Sequence, residues 1–246
     1  PPNSPANIIS RFHAEMMKVL TDPDVKKLME NQGAVPFGTV LLSRSSSIEP
    51  ELAAPDLAGL NPDFESLRRS VAAWRPRLTQ VLRERYGAEL LAIYVYPAQV
   101  TFCTKPFASL ADLAGRRVRV SSASQADFVA ALGAQPVQTP LAQIVAGIRG
   151  GTLDCAITGT MSGNTIGLDT VTSHVHTMAI NWGMAAFVAN TAAWNELSSS
   201  LRALLTRELP KLEQRIWAEA ERETREGLAC NAGQAEIGRA SCRERV

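Results

Sequence analysis

No apolar run in this sequence approaches the roughly 18 residues needed to cross a bilayer, so no transmembrane helix is expected. Charge of one sign is not in excess: 25 Lys and Arg stand against 24 Asp and Glu, a formal net charge of +1, with acids and bases interspersed. That balance argues against nucleic acid or an anionic membrane as the main partner, since either selects a basic stripe. Histidine is scarce, at three residues, and the four cysteines (Cys103, Cys155, Cys230, Cys242) form no C-x-x-C pair or metal-ligand spacing. The chain has no phosphate loop with its lysine and no G-x-S-x-G nucleophile elbow. No cofactor or metal is therefore expected. No leader segment is visible either, but the chain opens Pro-Pro and not with Met, and we expect a true N-terminus upstream of it.

What is present is an ordinary soluble composition, 46% hydrophobic and 20% charged over 246 residues, enough for one large domain or two modest ones. The most regular stretch runs from Leu110 to Ile157 and reads strand, helix, strand, helix, strand. Leu110 to Leu113 is a helical turn closed by Gly115, and Arg116 to Ser121 is a strand. Ser124 caps a helix that Gly133 ends, and Pro136-Val-Gln is a strand. Thr139-Pro140 caps a helix ended by Gly150-Gly151, and Leu153 to Ile157 is a buried strand. Crossovers this short imply parallel neighbours in an α/β sheet. Upstream, Asn61-Pro62 opens a helix that Arg75-Pro76 interrupts, and a second helix stops at Gly87. Leu90 to Tyr96 is an unbroken apolar strand, expected to be covered on both faces. Downstream come a strand between Met178 and Ala189, a cap at Asn190, and a long helix from Leu201 to Leu228 that Pro210 kinks or splits. A terminal helix of that length suits an element bracing two lobes.

Arg119 is the sharpest candidate for chemistry. It stands at the carboxyl end of its strand, where open α/β sheets bind ligands. An inward-facing guanidinium there either clamps a ligand carboxylate or forms an ion pair with a neighbouring acid. Ser121, Ser122 and Ser124 crowd the following turn and Thr139 opens the next helix, so hydroxyls and helix N-termini could share an anion with Arg119 or merely cap. Gly159 to Gly163 reads as a flexible loop lining a cleft, or a turn. Asn181-Trp182 sits in an apolar setting, its indole packing on a ligand's carbon skeleton or in the core. Cys103 and Cys155 read as small buried thiols. His174 and His176 have a spacing zinc can use but lack a third ligand. Together with Cys155 they define the rival reading, a metal- or thiol-dependent hydrolase.

Three blocks, LADLAGRRVRV, ALGAQPVQTPLAQIVAGIRGGTLD and FVANTAAWNEL ahead of the long helix, resemble the solute-binding proteins of TRAP transporters, the C4-dicarboxylate type. The resemblance implies a two-lobed α/β clamshell, like other periplasmic binding proteins, with open, mostly parallel sheets and a long C-terminal helix bracing both lobes. It implies a periplasmic receptor, not an enzyme, that binds one small organic acid, closes by hinge motion, and passes its cargo to TRAP membrane subunits; the signal peptide would be missing from this fragment. It places the carboxylate clamp on Arg119, a neighbouring asparagine of the family on Ser122, and a ligand-touching asparagine on Thr158. Ala98 and Gln99 stand where a second arginine is often found, and Leu141 where an aromatic residue opens a helix. The expected ligand-binding set is therefore Arg119, Ser122, Thr158, Asn181 and Trp182.

The two ends read differently from the middle. Residues 1–38 show helical spacing at Ile8, Ile9, Phe12, Met16 and Leu20, and the string resembles the C-terminal helices of tripartite tricarboxylate transporter binding proteins. We expect a foreign segment over 1–38, as against an ordinary helical hairpin. The solute-binding domain, truncated and built from two interleaved lobes, is expected over 39–235. The tail over 236–246, EIGRASCRERV, resembles the translation of a sequencing-adapter read-through.

Overall fold

A computed structural model describes residues 36–45 and 49–233. The helical reading of residues 1–35 and the tail at 236–246 lie outside those residues. The chain begins with strand β1 (Phe37–Leu41), one helical turn α1 (Leu42–Ser45) and a 3-10 helix over Pro50–Asp56. Next come the long helix α2 (Phe64–Tyr86) and strands β2 (Ala88–Val95) and β3 (Gln99–Cys103). The central block follows as β4 (Arg117–Val120), α3 (Ala123–Ala131), β5 (Gln135–Gln138), α4 (Ile144–Arg149), β6 (Cys155–Gly159) and α5 (Thr160–Thr165). The last elements are β7 (His174–Val175), β8 (Met184–Asn190), α6 (Thr191–Glu196) and α7 (Ser199–Asn231).

Two sheets form two α/β lobes. One sheet has the order β1-β8-β2 and is antiparallel throughout. The other has the order β5-β4-β6-β3-β7, parallel across β5-β4-β6 and antiparallel across β6-β3-β7. The sheets are thus mixed, and the expectation of mostly parallel sheets holds only for the block from β4 to β6. The short crossovers there enforce parallel pairing; the strands that return across the lobe boundary, β3 and β8, are the antiparallel ones. Pro136, lacking an N–H, is tolerated because β5 is an edge strand.

Two extended segments cross between the lobes and pair with each other. The Gln99 backbone donates to the Asn181 carbonyl (2.8 Å), Ile180 donates back to the Gln99 carbonyl (2.8 Å), and Tyr96 donates to Gly183 (3.0 Å). Helix α7 braces the pair from outside. Trp217 donates its indole N–H to the Ile93 carbonyl on β2 (2.8 Å), and Asn231 donates to the Thr160 carbonyl at the start of α5 (2.9 Å). Between these ends the Ala98 N–H, in the crossing segment itself, donates to Thr224 Oγ1 (2.9 Å). One helix thus fixes the antiparallel sheet, the crossing and the second lobe.

Helix α2 runs unbroken through Pro76, against the expected interruption, and α7 is not split at Pro210. An interior proline costs roughly 3 kcal/mol. Leu67, Val71, Leu78, Val81 and Leu82 are buried on both sides of Pro76, and each such burial contributes about 1.5–3 kcal/mol. The apolar face outweighs the proline. Asp63, not Asn61, caps α2 through a capping box with Ser66, and Gly87 ends the helix in the left-handed region that favours glycine (φ 56°). Asn61 is instead buried, donating to the Pro55 carbonyl (2.7 Å). The Gly159–Gly163 stretch, expected as a loop, begins helix α5.

Cys103 and Cys155 are joined in a disulfide across the β3–β6 pair, which corrects their reading as free thiols. They sit directly opposite in the antiparallel register, a relation that linear spacing does not display.

Candidate functional site

A cavity of about 850 Å³ opens between the lobes. Leu41, Ser43, Tyr96, Trp182 and Gly183 line it from the side of the antiparallel sheet. Gln99, Arg119, Ser121, Ser122, Thr158 and Ser162 line it from the mixed sheet, at and beyond the ends of β3, β4 and β6.

Arg119 is 6% exposed. Its Nε donates to the Thr139 carbonyl (2.9 Å) and Nη1 to the Ile157 carbonyl (2.7 Å). Burial pulls the guanidinium below its ordinary pKa, and it remains a cation. Among the described residues it has no ion-pair partner. The acid that could have neutralised it, Asp154, pairs with Arg117 at the other end of β4: Arg117 Nε and Nη2 lie 2.9 and 2.8 Å from its two oxygens, and the Arg117 N–H adds a third bond at 2.9 Å. Those bonds hold the Asp154 carboxyl at a pKa of about 2. The two arginines stand two residues apart on the same face of β4: Arg117 settles its charge with Asp154, whereas Arg119 is a desolvated cation held by carbonyl dipoles. Two carbonyls orient a guanidinium but do not cancel its charge.

The other expected site residues divide. Ser122 and Thr158 line the cavity with Arg119. Ser122 also caps α3, accepting from the Gln125 N–H (3.2 Å), a role expected of Ser124. Ser124 instead accepts from the Ala58 N–H (2.7 Å), linking the lobes. Trp182 touches the cavity, but its indole is in the core, edge-on to Phe64 at 4.4 Å between ring centroids and donating to the Asn61 carbonyl (2.9 Å). Asn181 is not brought to the cavity. It is buried, its Oδ1 accepting from Gln125 (2.8 Å) and its Nδ2 facing Asp56 (3.4 Å). Its amide is consumed by protein partners, which corrects its assignment to a ligand surface.

The residues of the rival hydrolase do not assemble. The Cys155 sulfur is in the disulfide. His176 stacks on Phe107, and its Nδ1 accepts from the Met178 N–H (3.1 Å); His174 is exposed, with Nδ1 beside Ser173 Oγ (2.8 Å). Among the described residues no three His, Cys, Asp or Glu side chains are grouped to hold a metal ion.

The sequence reading missed Gln125 and Asp56. Gln125 is fully buried behind the cavity wall, and Asp56 is 3% exposed beneath the lobe crossing, accepting from the backbone of Trp182 (2.8 Å) and Gly183 (3.0 Å). A glutamine in a short helix and an aspartate in a Pro-rich turn carry no periodic signal of burial.

Among solved structures, the fold matches the Bordetella pertussis extracytoplasmic solute receptor DctP7, a structure binding pyroglutamic acid, with a TM-score of 0.71 and 28% identity over 84% of this chain and 69% of that one. The ectoine-binding protein of the TeaABC TRAP transporter, in its apo state, matches with a TM-score of 0.74 at 18% identity, over 87% and 71% of the two chains. A Pseudomonas aeruginosa TRAP periplasmic solute-binding protein with bound L-malate matches with a TM-score of 0.67 at 20% identity, over 82% and 70%. At those two lower identities the likeness is one of fold. Compared with curated proteins, the chain has no match. The model of the DctP family, described as bacterial extracellular solute-binding protein, family 7, matches residues 18–237. Its match begins inside the segment 1–38, and no likeness of that segment to the tricarboxylate transporter proteins accompanies it. With a family match over most of its length and the lobes, crossing strands and bracing helix in place, this chain belongs to the bacterial extracellular solute-binding proteins of family 7.

Proposed function

We propose that this protein captures a small organic acid outside the cytoplasm and delivers it to a TRAP-type membrane transporter, with Arg119 as the carboxylate receptor. One observation carries the reading: a desolvated guanidinium, without an acidic partner among the described residues, faces a cavity between two lobes. A planar fork with donors to spare fits a carboxylate bidentately. Ser122 and Ala123, at the start of α3, line the same cavity, which places the positive end of a helix beside the site. The volume falls within the roughly 300–1,000 Å³ of small-molecule pockets. Pyroglutamic acid and L-malate, bound by relatives of the same fold, are the acids to try first.

The protein acts as a receptor and not an enzyme: its candidate nucleophile is locked in a disulfide and its histidines are apart from the cavity. The disulfide also suits an oxidising, extracytoplasmic compartment. No helix among the described residues is long and apolar enough to cross a membrane.

The test is a thermal-shift screen of carboxylates, followed by calorimetry of the best acid against the native chain and Arg119→Ala. We expect at least one acid to raise the melting temperature, and the variant to lose about 1.5–3 kcal/mol of binding free energy, tenfold to over a hundredfold in affinity. Unchanged affinity in the variant would overturn the assignment of Arg119.

A further inference from the structure

The cavity wall beside Arg119 is backed by a row of amides whose orientation is fixed from both ends. Gln125 stands in the middle. The Ser121 backbone N–H, which can only donate, lies 2.7 Å from Gln125 Oε1, with Ser121 Oγ at 3.0 Å from the same oxygen. The Gln125 oxygen therefore faces the end of β4, and its Nε2 faces the other way, donating to Gln99 Oε1 (2.9 Å) and Asn181 Oδ1 (2.8 Å). At the far end Asn181 Nδ2 points at the Asp56 carboxylate, which can only accept when ionised. Reversing the Gln125 amide alone would set donor against donor at Ser121 and oxygen against oxygen at Gln99 and Asn181. The row has one consistent polarity.

That polarity decides what Gln99 shows a ligand. Its carbonyl oxygen is held inward by Gln125, with Ser121 Oγ also within 3.4 Å of it. Its Nε2 has no hydrogen-bond partner among the described residues and is not sealed from solvent. Gln99 lines the cavity next to Gly183, where an added Cβ would lie 3.4 Å from that nitrogen. The cavity therefore presents two donors from the strands that flank β6, the Arg119 guanidinium on β4 and the Gln99 N–H₂ group on β3.

We propose that Gln125 is a positioning residue that turns the Gln99 amide nitrogen into the cavity, so that the site selects a carboxylic acid bearing a second, uncharged acceptor oxygen such as a ketone or amide carbonyl. The proposal rests on Arg119 receiving the carboxylate. Gln99 then reads the second oxygen. A neutral amide donor satisfies a neutral carbonyl, whereas an acid with only hydrocarbon there covers the Gln99 N–H without pairing it.

Two acids that differ in one oxygen test this: 3-oxocyclopentanecarboxylate, with the second acceptor, and cyclopentanecarboxylate, without it. Calorimetric titration of the full chain should show the keto acid binding on the order of tenfold more tightly. Gln125→Met should bring the two affinities within about twofold of each other while cyclopentanecarboxylate still binds through Arg119. Gln99→Met, which removes the proposed donor itself and leaves Gln125 bonded to Ser121 and Asn181, should do the same and keeps the test valid should the buried Gln125 variant fail to fold. The readout is a ratio of affinities, which a general loss of structure would not move selectively. Equal affinities in the native chain, or a preference that survives Gln99→Met, would overturn the proposal and leave the carboxylate reading standing. Binding of neither acid, together with no response to any carboxylate in the screen, would overturn both.

Discussion

Charge is handled in more than one way in this protein, and β4 shows two of them two residues apart. Arg117 and Asp154 satisfy each other at a half-exposed edge, while Arg119 is desolvated against carbonyls. Asp56 is a third case. Burial pushes its carboxyl up to a pKa of about 6, and the Trp182 and Gly183 N–H groups and the Asn181 amide only partly offset that cost. These three donors are its partners, and no cation pairs with it among the described residues. Its folded-state pKa lies above the ordinary 3.8, so the native state takes up a proton that the unfolded chain does not hold between those values. Stability from this group therefore grows as pH falls through about 6 towards 4, and is lost as pH rises. We expect the unfolding free energy of the native chain to gain on that of Asp56→Asn between pH 7.5 and 4.5 by on the order of a few kcal/mol, measured by denaturant unfolding at each pH. Parallel pH profiles for the two proteins would contradict this account of Asp56. At this scale the sequence was readable where chemistry is local. Arg119 at a strand end declares itself, whereas Gln125 and Asp56 acquire meaning only from partners far away in the chain.

Among the elements, the contact of α7 with α5 holds the bracing helix to the second lobe. Gly227 lies on the inner face of α7, and a Cβ added there would sit 2.6 Å from both the Met161 nitrogen and the Thr160 carbonyl carbon. Both atoms belong to the Thr160–Met161 peptide, and backbone that close has no flexible end to yield. Gly227→Ala should therefore cost about 1–3 kcal/mol and lower the melting temperature by several degrees, although alanine is the better helix former on its own. An unchanged or raised melting temperature would show that the two helices are less tightly joined. The elements themselves were largely legible: the glycine-terminated block from β4 to β6 has the expected order, and the long helix after Ser198 is a brace. The misreadings share a cause. Pro76 was read by local cost, and tertiary burial of the flanking apolar face outweighed it. Ser122 and Ser124 are both plausible caps in sequence, and the geometry of the strand end chose Ser122.

At the scale of the whole molecule, the lobes meet at paired crossing strands, with a brace on one side and a cavity on the other. The class of the molecule was legible because three blocks of the sequence resemble those of TRAP solute-binding proteins, and the model of family 7 matches residues 18–237. The mixed character of the sheets was not, because strand direction depends on which lobe each returning segment joins. Nor was the disulfide, since Cys103 and Cys155 become neighbours only through the β3–β6 register. Asn181 was misplaced for the same reason: it belongs to the crossing, where its amide serves Gln125 and Asp56. The central claim is that a carboxylate occupies the cavity against Arg119. A crystal structure of the full chain with the acid that gives the largest thermal shift tests it most directly. The account predicts a carboxylate oxygen within hydrogen-bond distance of the Arg119 guanidinium, with Thr139 and Ile157 still accepting from Nε and Nη1. A bound acid whose carboxylate lies elsewhere in the cleft, with Arg119 untouched, would contradict it.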